Sequence, residues 1–442
     1  MSVVLQNSSG WVLDSQQLIN RGYERCIQWK YSKKLHVRCS FKRQCFQILK
    51  SHYNPNSSAD VDGGHEHRDV QQKNKLSKKR KRKHSELNQG EIDIKIFHEK
   101  IRPFILEGTK SLVDSAQSIG YLNGETDTLK EALPSQECSL VALCEMAKEL
   151  PLVDDDEQKE WTQPLVSGES CTSHVDLFSQ VTENKQDCAV VVPLMGEEYV
   201  IPPNTAFLLS DFTRLQPLVQ CGRRYDLIVI DPPWENKSVK RSRRYSFLPS
   251  SQLKCLPIPS LASQDCLVVT WVTNRPSHLR FVHDELYPHW GVRVLAEWFW
   301  VKVTTSGQFV FPIDSQHKKP YEVLVLGRYC SADASKNPSE IPKIEDKRLI
   351  VSVPSALHSQ KPPLSEVLRP FIGAEAECLE LFARSLQPRW TSWGNEVLKF
   401  QHINYFNLKP AEACKDEATD DCTDEFSVLQ REPALPNASS PP

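Results

Sequence analysis

The sequence predicts an α/β domain on a mostly parallel sheet at 189–409, with an N-terminal α+β accessory region and disordered linkers. Three observations predict it. Short apolar, β-branched runs recur from Ala189 onward: Ala189–Val192, Tyr225–Ile230, Cys266–Val272, Val292–Val303, Val323–Leu326 and Cys378–Phe382. Runs apolar throughout, rather than alternating, belong to strands covered on both faces. Helix candidates lie between some of them, notably Ser277–Tyr287 and Leu364–Phe371. Finally, only 39% of the 442 residues are hydrophobic and 30 are prolines, so core-forming sequence is concentrated in part of the chain.

The elements follow in order. Residues 1–50 hold nine Lys/Arg against two acids, Asp14 and Glu24, with Trp11, Tyr23, Trp29, Tyr31, Phe41 and Phe46 interspersed. Cations among aromatics suit phosphate contact with base stacking, or equally a small half-buried sheet with a solvated basic face. Residues 51–89 read as a disordered linker containing the run Lys78-Lys79-Arg80-Lys81-Arg82-Lys83. Six like charges in a row stay solvated and read as a nuclear-import or polyanion-binding segment. Residues 90–188 begin and end their first half with helical periodicity (Ile92, Ile94, Phe97, Ile101; Leu140, Leu143, Met146, Leu150) and continue as an acidic connector from Val153. Residues 410–442 form an acidic, Pro/Ser-rich tail expected to be disordered.

Some classes are excluded early. No window approaches 18 uninterrupted apolar residues, which argues against a membrane span. The start lacks the apolar core of a secretory signal, although its scarcity of acids leaves a mitochondrial transit peptide open. The 14 cysteines include no C-x-x-C pair and no zinc-finger spacing. Several sit in apolar runs, so they read as structural thiols in a reducing compartment, and no metal is expected. The net charge of −2 is uninformative until its distribution is read.

Chemistry concentrates where the Tyr225–Ile230 run meets Asp231-Pro232-Pro233-Trp234. In open α/β sheets ligands bind beyond the carboxyl ends of strands. Two prolines remove two backbone donors and leave carbonyls that only accept hydrogen bonds. Asp231 adds an acceptor, and Trp234 adds a flat apolar face. Acceptors beside an aromatic plate suit a planar amine such as the exocyclic amine of adenine. That amine is a weak nucleophile because its lone pair is delocalised into the ring. Two acceptors on its hydrogens favour tetrahedral geometry, and stacking aligns it with an electrophile. Downstream, Lys237, Lys240, Arg241, Arg243, Arg244 and Tyr245 read as a track for a phosphate backbone, or as a solvated loop.

With these residues the chain resembles the messenger-RNA adenosine methylase, or MT-A-seventy-like, family. The likeness spans Phe207–Leu398. It includes Trp271-Val272-Thr273-Asn274-Arg275, Trp300-Val301-Lys302, Glu380 to Arg384, and Trp390 to Glu396. It implies a Rossmann-like methyltransferase domain using S-adenosyl-L-methionine to methylate the 6-amino group of adenine. It further implies that Asp231 holds the amine near the cofactor, with Pro232, Pro233 and Trp234 completing the base pocket. Ser210-Asp211-Phe212 would line the cofactor's adenine, Glu380 and Arg384 its ribose and amino-acid end, and Asn395-Glu396 its ribose. Lys319 would serve its carboxylate. Arg384 is followed by Ser385-Leu386-Gln387-Pro388, two residues shorter than in messenger-RNA methylases, so their His-Asn cofactor contact does not transfer.

The segments Glu235–Tyr245 and His317–Glu322 resemble a branch acting on small nuclear RNA, so the expected partner is RNA with a single-stranded or bulged adenosine, with DNA as a further candidate. The chain is expected to act as a monomer in the nucleus, with cytoplasm or mitochondrion as minor pools. A catalytically silent RNA-binding subunit is the competing reading. Its motif would be eroded, whereas Asp231–Trp234 is intact. Methylation of cytosine or a glutamine side chain is a third, for which Tyr or Phe usually stands in place of Trp234.

Overall fold

The computed structural model describes residues 3–30, 33–49, 89–124, 140–147, 160–167, 170–171, 175–235, 249–315, 318–330 and 342–410. The run Lys78–Lys83, the basic loop from Lys237 to Tyr245 and the tail from residue 411 lie outside them.

Most of the strands form one twelve-stranded sheet. Its order is Val3–Asn7, Gly10–Leu13, Leu349–Ser352, Val292–Lys302, Tyr321–Tyr329, Ala262–Val272, Tyr225–Ile230, Cys378–Leu381, Trp390–Trp393, Thr205–Leu208, Val181–Asn184 and Thr162–Pro164. Most pairings are parallel. The exceptions are Tyr321–Tyr329, antiparallel to both neighbours, the pair Thr205–Leu208 with Val181–Asn184, and the edge pair Val3–Asn7 with Gly10–Leu13. The α/β, mostly parallel class expected from the sequence is therefore the observed one.

The Tyr225–Ile230 strand shows why its run is apolar throughout. Leu227 and Val229 enter a core with Leu267, Val269, Trp271 and Trp298. Ile228 and Ile230 face the other way, into a core with Val268, Leu279, Val282 and Leu286. The first core is closed by Val367, Leu368 and Phe371 of the short helical segment after Leu364. The second is closed by the Gln89–Ser118 helix and by the helical stretch Pro276–Trp290. Gly291 ends that stretch at φ 71°, a left-handed cap that turns the chain into the Val292–Lys302 strand.

The N-terminal segment is not separable from this domain. Gly10–Leu13 pairs in parallel with Leu349–Ser352. A second sheet runs Glu197–Ile201, Ala189–Leu194, Cys26–Lys30, Lys33–Phe41 and Phe406–Pro410, joining both ends of the described chain. The boundaries read at residues 50 and 189 therefore do not coincide with breaks in the sheets. Ala189–Leu194 is a strand, but it belongs to the smaller sheet. The acidic connector contributes Thr162–Pro164 and Val181–Asn184 to the larger one. Register between segments far apart in sequence leaves no trace in local periodicity. Trp11, Tyr23, Trp29 and Phe41 are buried, so they build core and are not free to stack on bases. The half-buried sheet is the reading that the structure supports. Among the described residues no helix is long and apolar enough to cross a membrane.

Candidate active site

Strands leave Tyr225–Ile230 in both directions: the next in sequence, Ala262–Val272, lies on one side and Cys378–Leu381 on the other. Such a switch point opens a crevice at the carboxyl ends of parallel strands. Asp231 is the first residue beyond its strand, buried to 7% exposure, with its N–H donating to the Leu381 carbonyl at 3.2 Å. The pocket there is lined by Asp231, Lys361, Glu380, Phe382, Arg384 and Gln387, among others.

Each oxygen of Asp231 meets a cation. Arg384 Nη1 donates to Oδ2 at 2.8 Å, and Lys361 Nζ lies 3.3 Å from Oδ1. Arg384 Nε also donates to Glu396 at 3.0 Å, and Lys399 completes Glu396 at 2.8 Å. On the other side Lys361 reaches Glu322 at 2.9 Å, and Glu322 accepts from Lys302. Burial opposes charge on Lys361, but Asp231 and Glu322 outweigh it and hold its pKa above the ordinary value. Burial likewise works against the Glu322 carboxylate, yet Lys361 and Lys302 bring its pKa down to about 2. Glu380 has no cation in hydrogen-bond contact. Burial pushes its pKa up to about 7, although Gln387 donates to it at 3.2 Å, and the nearby Asp231 charge pushes the same way.

The prolines and the tryptophan form a tight turn. The Pro232 carbonyl accepts the Trp234 N–H at 2.8 Å and retains a second lone pair. Trp234 is buried, donates Nε1 to the Trp271 carbonyl at 2.8 Å and stacks on His278 at 4.8 Å and 18°. Burial, reinforced by Arg275, lowers the His278 pKa to about 4, so this ring is neutral at physiological pH. Its Nδ1 lies 2.7 Å from the Thr273 hydroxyl.

Across the pocket, Phe382 takes a left-handed φ of 61°, costly for an aromatic residue. Its ring is held by stacking on Phe212 and by an edge contact with Trp393. A Cβ on Gly394 would fall 2.8 Å from the Ala383 carbonyl, so glycine lets this segment lie close against Ala383, beside the Arg384–Glu396 pair.

The structure thus brings Asp231, Arg384 and Glu396 together, with Glu380 and Phe382 on the same pocket. Asn395 and Pro233 are half-buried beside them in sequence. Ser210 is buried, accepts from Trp393 Nε1 at 2.9 Å and donates to the Arg214 carbonyl, so its hydroxyl is spent on structure. Asp211 accepts from Thr213 within a turn. Lys319 is placed elsewhere: its Nζ donates to the Ile313 carbonyl, near Asp314 and Arg102. The lysine at Asp231 is Lys361, which sequence reading missed. Its only local signal is a lone cation before Pro362 and Pro363. His278 was missed because it acts through Trp234, distant in sequence, and Lys302, although inside the quoted likeness, was given no role because its partner Glu322 lies on another strand.

Residues 225–396 match the MT-A70 family model. The chain is 43% identical over 469 aligned positions to the N(6)-adenine-specific methyltransferase METTL4 of Homo sapiens, covering 92% of this chain and 98% of that protein. It is 53% identical over 341 positions to METTL4 of Mus musculus, covering 75% and 71%. It is 36% identical over 230 positions to the N6-methyladenosine RNA methyltransferase MTA1 of Pyricularia oryzae, covering 49% and 60%. Methyltransferases of this family depend on S-adenosylmethionine. With its signature turn at a sheet switch point and a relative matched almost end to end, the chain belongs to the MT-A70 family.

Proposed function

We infer that the chain is an S-adenosylmethionine-dependent N6-adenine methyltransferase acting on nucleic acid, with RNA, and small nuclear RNA in particular, as the favoured substrate and DNA as a second candidate. The observation that carries this reading is the position of Asp231. It stands at the carboxyl end of the central strand, oriented by Arg384 and Lys361 and followed by an acceptor-rich turn ending in Trp234.

The residues present fit the donor. Lys361 and Arg384 are cations for its carboxylate, Glu380 is a half-buried acceptor or donor for its hydroxyls, and Phe212 with Phe382 offers ring surface for its base. Gln360, on the same pocket, has a buried Oε1 without a hydrogen-bond partner among the described residues, as expected where a ligand donor completes the site. When bound, the donor supplies an electrophilic methyl group.

The chain's own residues do the rest. Arg384 and Lys361 use two of the roughly four lone-pair sites of Asp231, leaving acceptor capacity for one amine hydrogen. The Pro232 carbonyl takes the second. Trp234, held by Trp271 and stacked on His278, is buried to 8% exposure, so its part is to fix the turn that backs the base pocket. The nitrogen of the unreacted aromatic amine is a very weak acid, so the proton leaves after methylation has acidified it. The base must be extruded to reach a site walled this closely, which favours single-stranded or bulged substrate.

The test is incubation of the pure protein with labelled methyl donor and RNA, DNA or protein, followed by digestion and identification of the modified unit. Label in N6-methyladenosine supports the reading. Label in cytosine or glutamine, or none with any substrate, overturns it. The run Lys78–Lys83 directs the chain to the nucleus in this reading, and a tagged deletion that remained nuclear would remove that assignment.

A further inference from the structure

We propose that the Gln89–Ser118 helix, which precedes the family-matched region, is part of the catalytic apparatus, and that His98, Arg102 and Tyr321 are positioning residues for Asp231 and Trp234. The inference rests on the methyltransferase reading for what is positioned. The contacts themselves are independent of it.

The helix carries His98 and Arg102 one turn apart, beside the buried Ile101 and Ile105. Arg102 grips Asp314 with both arms of its fork, Nε at 2.7 Å and Nη2 at 2.9 Å. That guanidinium holds the Asp314 pKa down at about 2, so Asp314 is a carboxylate and can only accept. Burial, aided by Lys319, keeps the His98 pKa below its ordinary value despite Asp314, so His98 is neutral at physiological pH. Its two contacts then fix the tautomer. Nε2–H donates toward Asp314 at 3.5 Å, and Nδ1 accepts from the Tyr321 hydroxyl at 3.0 Å. The His98 and Tyr321 rings also stack, 6.0 Å apart and within 6° of parallel.

Two branches run from Tyr321 to the site. Its carbonyl accepts Asn274 Nδ2 at 2.7 Å, and the next residue, Arg275, donates to the Glu235 carbonyl at 3.1 Å, directly after Trp234. The following residue in the other direction, Glu322, holds Lys361, which holds Asp231. Base wall and amine acceptor are therefore registered to the same tyrosine, and that tyrosine is registered to the helix. The helix in turn is pinned by Asp93 to Arg280 at 3.0 Å, by Gln117 to the Ser306 carbonyl, and by the close approach of Gly108 to Leu349, where a Cβ would fall 2.6 Å from a methyl group. Misplacement of reacting groups by fractions of an ångström lowers turnover more than binding.

The experiment compares full-length wild type with Tyr321→Phe, Arg102→Ala, Arg102→Lys and the swap Arg102→Asp/Asp314→Arg. Each is assayed for kcat and KM on a short adenosine-containing single-stranded RNA, for calorimetric binding of S-adenosylhomocysteine, and for thermal melting. Tyr321→Phe removes one oxygen and Arg102→Ala one surface-exposed ion pair, so both should melt close to wild type. Both should lose about tenfold in kcat, the upper range of coupling through packed side chains, with a smaller change in KM for RNA. Arg102→Lys should fall between, and the swap, which puts a guanidinium where His98 Nε2–H needs an acceptor, should not recover the loss. Wild-type kcat and wild-type S-adenosylhomocysteine affinity in both single variants would overturn the proposal, whatever their melting. Should wild type itself transfer no methyl group, the proposed function fails, and the calorimetric comparison alone decides the positioning role.

Discussion

The Lys361 ammonium lies 3.3 Å from Asp231 Oδ1 and leaves Oδ2 to Arg384, so the carboxylate is clamped at once from the loop after Leu349–Ser352 and from the segment just beyond Cys378–Leu381. The clamp is the middle of an alternating chain of charges: Lys302, Glu322, Lys361, Asp231, Arg384, Glu396 and Lys399. Buried ions are tolerable only when paired, and here every internal member touches two partners of opposite sign. The site's rigidity and its electrostatics are therefore one property.

Asp231→Ala should abolish methyl transfer and also destabilise the fold. Stranding a buried charge typically costs about 3–5 kcal/mol. Lys361 keeps Glu322 and Arg384 keeps Glu396, so the expected loss is on the order of 2 kcal/mol. Urea unfolding and a methylation assay on one preparation check both. Retained transfer would refute the role, and unchanged stability would refute the clamp.

Lys361→Met should weaken S-adenosylmethionine binding by about 1.5–3 kcal/mol, the usual worth of a hydrogen bond to a charged group. Lys319→Met should leave that affinity within about 0.5 kcal/mol of wild type, as surface substitutions generally do. Calorimetry on the two variants decides between the lysines. The reverse ranking would return the carboxylate contact to Lys319.

Glu380→Gln should change how stability depends on pH. The folded pKa of about 7 stands above the ordinary 4.5, so the folded chain binds more protons between these values. Glu380 then contributes stability that is full below about pH 4.5 and is lost as pH rises toward 7. Glutamine cannot ionise, so the variant should gain on wild type as pH rises from 5 to about 7 and hold level above it. Parallel melting curves across that window would show that Glu380 titrates normally.

Neutralising Arg241, Arg243 and Arg244 together should raise KM for RNA and flatten its salt dependence. Each single-strand phosphate contact contributes ~0.7 to the log–log slope, so three should reduce it by about 2. A titration from low to moderate salt resolves this. A wild-type slope would mean that the loop is merely solvated.

Legibility in the sequence followed the range of the interaction. The Tyr225–Ile230 strand was readable because burial on both faces makes every residue from Leu227 to Ile230 apolar. Asp231 and Trp234 were readable because their neighbours in sequence are their neighbours in the turn. Ala189–Leu194 was readable as a strand, but its sheet was not, since nothing local records that Cys26–Lys30 lies beside it. Lys361 was hidden for the same reason: its meaning is given by Glu322 and Asp231, each on another strand end.

The pairing of Gly10–Leu13 with Leu349–Ser352, and of Lys33–Phe41 with Phe406–Pro410, bears on how the chain is made. Synthesis delivers the first strands long before the segments that complete them. Through most of translation these strands have only their hairpin partners, Val3–Asn7 and Cys26–Lys30, and their other edges must be kept from pairing with other chains. The larger sheet is completed only once Trp390–Trp393 has left the ribosome, and the smaller only once Phe406–Pro410 has. Nascent chains stalled before residue 349 should therefore be protease-sensitive in their first fifty residues, and released full-length chains should not be.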